Sequence, residues 1–201
     1  MRVRTVKSLQ EFFRESVSSA MDKQGLDADD HTAYYVVNLL TLFARSEAFY
    51  EGEGQPLRPL ALMLADAVDA SSPEERNFVL QRVGDISLFV AGFFGESLAE
   101  KQVDIDYYVT MGGSAYSSLS VSIRGSVRGQ AYTAVFAELG AKFQDFVDVL
   151  TEVRDEARGN DVVDVLRLYE VWLKTGSRRA ARMLRRLGIE PNQALDGTTR
   201  H

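Results

Sequence analysis

Apolar residues return every three or four positions along nearly the whole chain, which is the helical period. Leu9, Phe12, Phe13, Val17, Ala20 and Met21 form the first such stripe, behind a capping box made by Ser8 and Glu11, and Gly25 closes it. Residues His31 to Tyr50 are apolar on nearly all sides, so their helix is expected to lie centrally. After the loop EGEGQP a short helix is predicted from Pro59 to about Ala70. Ser72, Pro73 and Glu75 combine an N-cap, a first-turn proline and a capping-box glutamate, opening a helix that runs to about Glu100. Asp104 starts another, through Tyr107, Tyr108 and Tyr116 to Ser122. Three more are predicted from Gln130 to Arg158, from Asp161 to Thr175 and from Ser177 to Leu187, closed by Gly159, Gly176 and Gly188. Only Leu119, Val121 and Ile123 alternate as a strand would, too briefly for a sheet. The pattern therefore predicts an all-α, single-domain helical bundle of about seven to eight helices. Residues 1–176 form its body, 177–188 a basic C-terminal helix and 189–201 a disordered tail.

Charge changes this picture at one end. Twenty-nine acids against 23 bases give −6. Six bases and no acid lie between positions 174 and 186, namely Lys174, Arg178, Arg179, Arg182, Arg185 and Arg186. The remainder has 17 bases against 29 acids, so an acidic body of −12 carries a cationic terminal helix. With no cysteine, thiolate metal sites, disulfides and cysteine nucleophiles are excluded. His31 and His201 are the only histidines, too few for a histidine metal cage, and no nucleophile–base set or phosphate loop is legible. No cofactor is expected. The N-terminus lacks an apolar signal stretch, and the most apolar run, Ile86 to Gly95, is half the length of a membrane span. Cytoplasmic residence without membrane contact is the expectation.

Four constellations carry candidate chemistry. Gly84, Ser87, Ala91 and Gly95 draw one stripe of small residues, matched by Gly113, Ser117 and Ser120 on the following helix. Such stripes serve a close helix crossing, or a slot for an apolar ligand with Arg45, Asp85, Glu96, Tyr108 and Tyr116 as polar fixings. Asp85 and Glu96 are eleven residues apart, about 16 Å along a helix, which is beyond the reach of a carboxylate acid–base pair. Arg45, with Asn38 and Thr41 as a polar seam beside it, is the candidate partner for one of them. Asp27, Asp29, Asp30 and His31 fit helix capping and match no metal motif. Tyr132, Phe136, Leu139, Phe143, Phe146, Leu150 and Val153 step by four and three, a heptad seam that serves packing within the chain or homodimerisation.

The terminal segment TGSRRAARMLRRLGI is similar to the helix-turn-helix end of Fis-like DNA-binding proteins, in which a Gly-initiated helix with paired alanines leads to a Leu-Gly-Ile turn. That resemblance implies nucleic-acid binding through the arginine helix. Here Glu190, Pro191 and a polar tail stand where the recognition helix would follow, leaving nothing to enter a major groove. The stretches GDISLFVAGFFGESL, VDIDYYVTMGGSAY and LRLYEVWLKTGS look like those of a family of uncharacterised all-helical bacterial proteins, a likeness that implies a bacterial cytosolic origin and no activity. The residues thus point first to a non-enzymatic cytosolic adaptor or regulator. It would bind a protein partner, or itself, through the heptad helix and through Arg178, Arg179, Arg182, Arg185 and Arg186. A small apolar-ligand-binding bundle and a nucleic-acid binder are the alternatives.

Overall fold

The computed structural model describes residues 8–45, 59–95, 104–127, 129–158, 171–186 and 191. Among them every regular element is helical: α1 (Leu9–Gln24), α2 (Asp30–Arg45), α3 (Leu60–Asp69), α4 (Pro73–Phe94), α5 (Ile105–Ile123), α6 (Gln130–Ala141), α7 (Phe143–Arg158) and α8 (Arg178–Arg186). Residues 171–175 are also helical and lead into α8. The fold is all-α, and no helix among the described residues is long and apolar enough to cross a membrane.

The predicted caps are in place. Ser8 Oγ accepts from the Glu11 amide while the Glu11 carboxylate accepts from the Ser8 amide, and Gly25 ends α1 in the left-handed region at φ 61°. Ser72 and Asp104 cap α4 and α5 by accepting from the Glu75 and Ile105 amides. Gly159, Gly188 and the expected tail apart from Pro191 fall outside the described residues, as does the helix start at Asp161.

Two expectations are corrected. The most enclosed helix is α7, which packs against α1, α4, α5, α6 and α8 and exposes only Glu156 among its described side chains. By contrast α2 buries Val36, Val37, Leu39 and Leu40 but leaves Tyr34, Asn38 and Leu42 in water, because it lies against α1 and α6 at the margin. The helix expected from Gln130 to Arg158 is broken at Lys142 (φ −110°, ψ 27°). The break follows Gly140, whose bare backbone lies against Ser117 of α5. Lys142 Nζ is held there by the Asp27 carbonyl at 2.7 Å and Glu138 at 2.8 Å. The heptad seam crosses this break and faces inward: Phe136, Leu139, Phe143, Phe146, Leu150 and Val153 are buried in the chain's own core, and only Tyr132 is exposed. The seam, Tyr132 apart, therefore packs within the chain. The arginine helix docks on the body, with Ala180, Ala181 and Leu184 buried where α8 meets α7.

Candidate functional site

Asp145, Asp148, Glu152 and Asp155 step by three, four and three along α7, which places four carboxylates on one helical face. Beside them lies the C-terminal end of α1, where the carbonyls of Lys23 and Gln24 are among the last four that have no partner within the helix. Together they form a seat of negative potential, and α8 occupies it.

The contact begins at the N-terminus of α8. Asp148 is 3% exposed, accepts from Ser177 Oγ at 2.6 Å and from the Arg179 amide at 3.0 Å, and receives Gln144 Nε2 at 2.9 Å. Ser177 Oγ in turn accepts from the Ala180 amide at 3.1 Å, so the expected serine cap is real and is itself braced by α7. Burial pushes the Asp148 carboxyl up, while the Ser177 hydroxyl and the Arg179 amide favour its charged form. The positive end of the helix dipole meets this carboxylate directly.

Three arginines then read the seat. Arg179 is buried, pairs with Asp155 and lies 3.6 Å from Glu152. Asp155 is shared, since its other oxygen accepts from the buried Arg154 of α7 at 2.6 and 2.9 Å. Arg182 donates to the Lys23 carbonyl, and Arg178 donates to the Gln24 carbonyl at 3.3 Å. Arg178 also lies 3.7 Å from Asp145, a pair largely screened by solvent because its side chain is 57% exposed. Arg185 and Arg186 are exposed at the far end. Lys174, ahead of α8, pairs with Asp104. The cationic segment is thus met in large part by the chain's own acids.

A second polar cluster lies in the core. Asp85 Oδ1 accepts from the hydroxyls of Tyr35 and Tyr116, both at 2.7 Å, and Gln81 Nε2 donates to the Tyr35 hydroxyl at 2.9 Å. One oxygen of α4 thereby ties α2 and α5 to it. Burial pushes the Asp85 carboxyl up to about 6 against the stabilising pull of the two hydroxyls and Arg82, and it pushes both tyrosines up as well.

Of the five residues proposed as polar fixings for a ligand, the structure brings only Asp85 and Tyr116 together. Tyr108 lies two turns away on α5, ring edge against Tyr107. Glu96 and the Arg45 side chain are outside the described residues. Of the polar seam expected beside Arg45, Thr41 Oγ1 donates back to the Val37 carbonyl, and Asn38 accepts from Gln10 of α1. The small-residue stripe is a helix crossing. The Tyr116 ring fills the space at Gly84, where a Cβ would lie 2.5 Å from it, and Leu150 of α7 fills that at Gly92. Gly112, not Gly113, faces Ser87; Gly113, Ser117 and Ser120 turn instead toward α6, where Gly140 and the Thr133 carbonyl meet them. Asp29 caps α2, accepting from the His31 amide at 2.8 Å, and among the described residues no group of three or more acids and histidines could hold a metal ion.

Sequence reasoning missed Tyr35 and Gln81, and it missed the acidic stripe on α7. The stripe was visible as a three–four spacing of acids on the same segment whose apolar spacing was read as a seam. Comparison with protein-family models, with curated proteins and with solved structures finds no match for the chain.

Proposed function

We propose that this chain is a non-enzymatic protein-binding regulator whose acidic seat, formed by α7 and the carbonyl end of α1, recognises an arginine-rich amphipathic helix. The observation that carries the reading is the docking of α8. A buried carboxylate receives the helix N-terminus, two carboxylates receive the inward Arg179, and two helix-end carbonyls receive Arg178 and Arg182 on either side of it. That set specifies polarity, register and charge of the bound helix, since Asp148 selects an N-terminus and Glu152 with Asp155 select a guanidinium in its first turn. The exposed Arg186 leaves a cation at the far end for an acidic surface on the same partner.

The test uses a labelled peptide of residues 171–186 and the full chain. The Arg179→Gln/Arg182→Gln chain, whose own helix is weakened, is expected to bind the peptide at least about tenfold more tightly than the wild type, because tethering gives the resident helix a high effective concentration. Binding falls as salt rises and is lost in a Glu152→Gln/Asp155→Asn chain. A peptide that binds none of these chains at low salt would end the proposal.

A further inference from the structure

The features that seat α8 also allow it to leave. Ala180, Ala181 and Leu184 are buried against α7 but stand apart from the main core cluster, which is complete without them. Its remaining bonds are ion pairs and charge-assisted hydrogen bonds, groups that water solvates well once separated. The connection to helix 171–175 runs through Gly176, left-handed at φ 66°, and the cap Ser177; the Gly176 amide donates to the Trp172 carbonyl at 2.8 Å, and a Cβ added at Gly176 would meet nothing within 4 Å. Glycine adopts right-handed φ as readily as left-handed φ. A change of φ at this residue re-aims α8 while Ser177 keeps its cap, and carries the arginines away from their own α7.

Each chain carries one seat and one helix that fits it. We infer that α8 exchanges between two copies of this chain, hinging at Gly176, so that each seat holds the arginine helix of the other copy. This deepens the recognition reading and rests on it: the partner named is a second copy. Every contact of the closed form re-forms in the exchanged dimer, and the arrangement closes on itself with no seat or helix left over. Charge complementarity selects this occupant, because the seat offers four carboxylates in a stripe and α8 answers with arginines at positions 178, 179 and 182.

Sedimentation of the full chain tests it. The mass is expected to rise from 22.4 kDa toward twice that value with concentration. Gly176→Ala adds no clash but penalises the left-handed φ at both hinges, so it raises the dimerisation constant by at least about 30-fold. An Arg179→Glu/Arg182→Glu chain mixed with a Glu152→Arg/Asp155→Arg chain is expected to form a heterodimer that neither forms alone, since the exchanged pairing restores both charge matches. A mass of 22.4 kDa for wild type and Gly176→Ala at every concentration overturns the exchange, as does a dimer that Arg179→Glu/Arg182→Glu leaves intact. If the labelled helix still binds while both chains stay monomeric, the exchange fails and the recognition reading stands.

Discussion

Asp85 shows how one atom can set a pH dependence. Burial pushes its folded carboxyl up to about 6 from an ordinary value of 3.8, so the fold penalises the charged form. A raised folded pKa contributes stability that is fully present below the unfolded value and is lost as pH rises through the folded one. The window is therefore between about 4 and about 6. Asp85→Asn keeps an oxygen to accept from Tyr35 and Tyr116 and removes the charge, so above pH 7 the variant is expected to be more stable than wild type by up to about 3 kcal/mol. The gap closes toward pH 4, and urea midpoints at the two ends of the window measure it. A variant less stable than wild type above pH 7 would show that the two hydroxyls and Arg82 outweigh the burial.

At the scale of elements, close crossings are set by glycines placed where a neighbour needs room. Gly84→Ala would drive a Cβ to 2.5 Å from the Tyr116 ring, whose hydroxyl is anchored on Asp85 and cannot swing away without breaking that bond. The expected loss is about 1–3 kcal/mol, an overpacking cost. Gly125→Ala is the control: nothing lies within 4 Å, and its effect should stay within about 0.5 kcal/mol in the same denaturant titration. The same elements explain what was legible. Caps at Ser8, Ser72, Asp104 and Ser177 act through neighbours in sequence, so their residues announce the helices directly. The break at Lys142 depends on Ser117, Asp27 and Glu138, which local periodicity cannot weigh. Tyr35 and Gln81 were invisible for the same reason, since a tyrosine at a core edge acquires its role only from the carboxylate that a distant helix brings to it.

Across the whole molecule, the separation of charge legible in the sequence becomes a folded contact. The acidic body and the basic terminal helix are opposite sides of one interface, which composition could suggest but could not place on α7 and the end of α1. Two cohesive forces then act in one chain: the body is held by apolar burial, and α8 mainly by charge. Raising salt shortens the Debye length from about 10 Å at 0.1 M to about 3 Å at 1 M. The amides of α8 are therefore expected to lose hydrogen-exchange protection with salt while those of α4 keep theirs. Equal loss in both helices would show that α8 and the body open as one unit.

Trp172 is the chain's single tryptophan, and its carbonyl receives the amide of Gly176. The indole is partly buried one turn before the residue on which α8 turns. The emission spectrum of the native chain thus reports on that joint alone, without a label: a shift that follows salt or dilution while far-ultraviolet dichroism holds steady would record α8 swinging, and not the body melting.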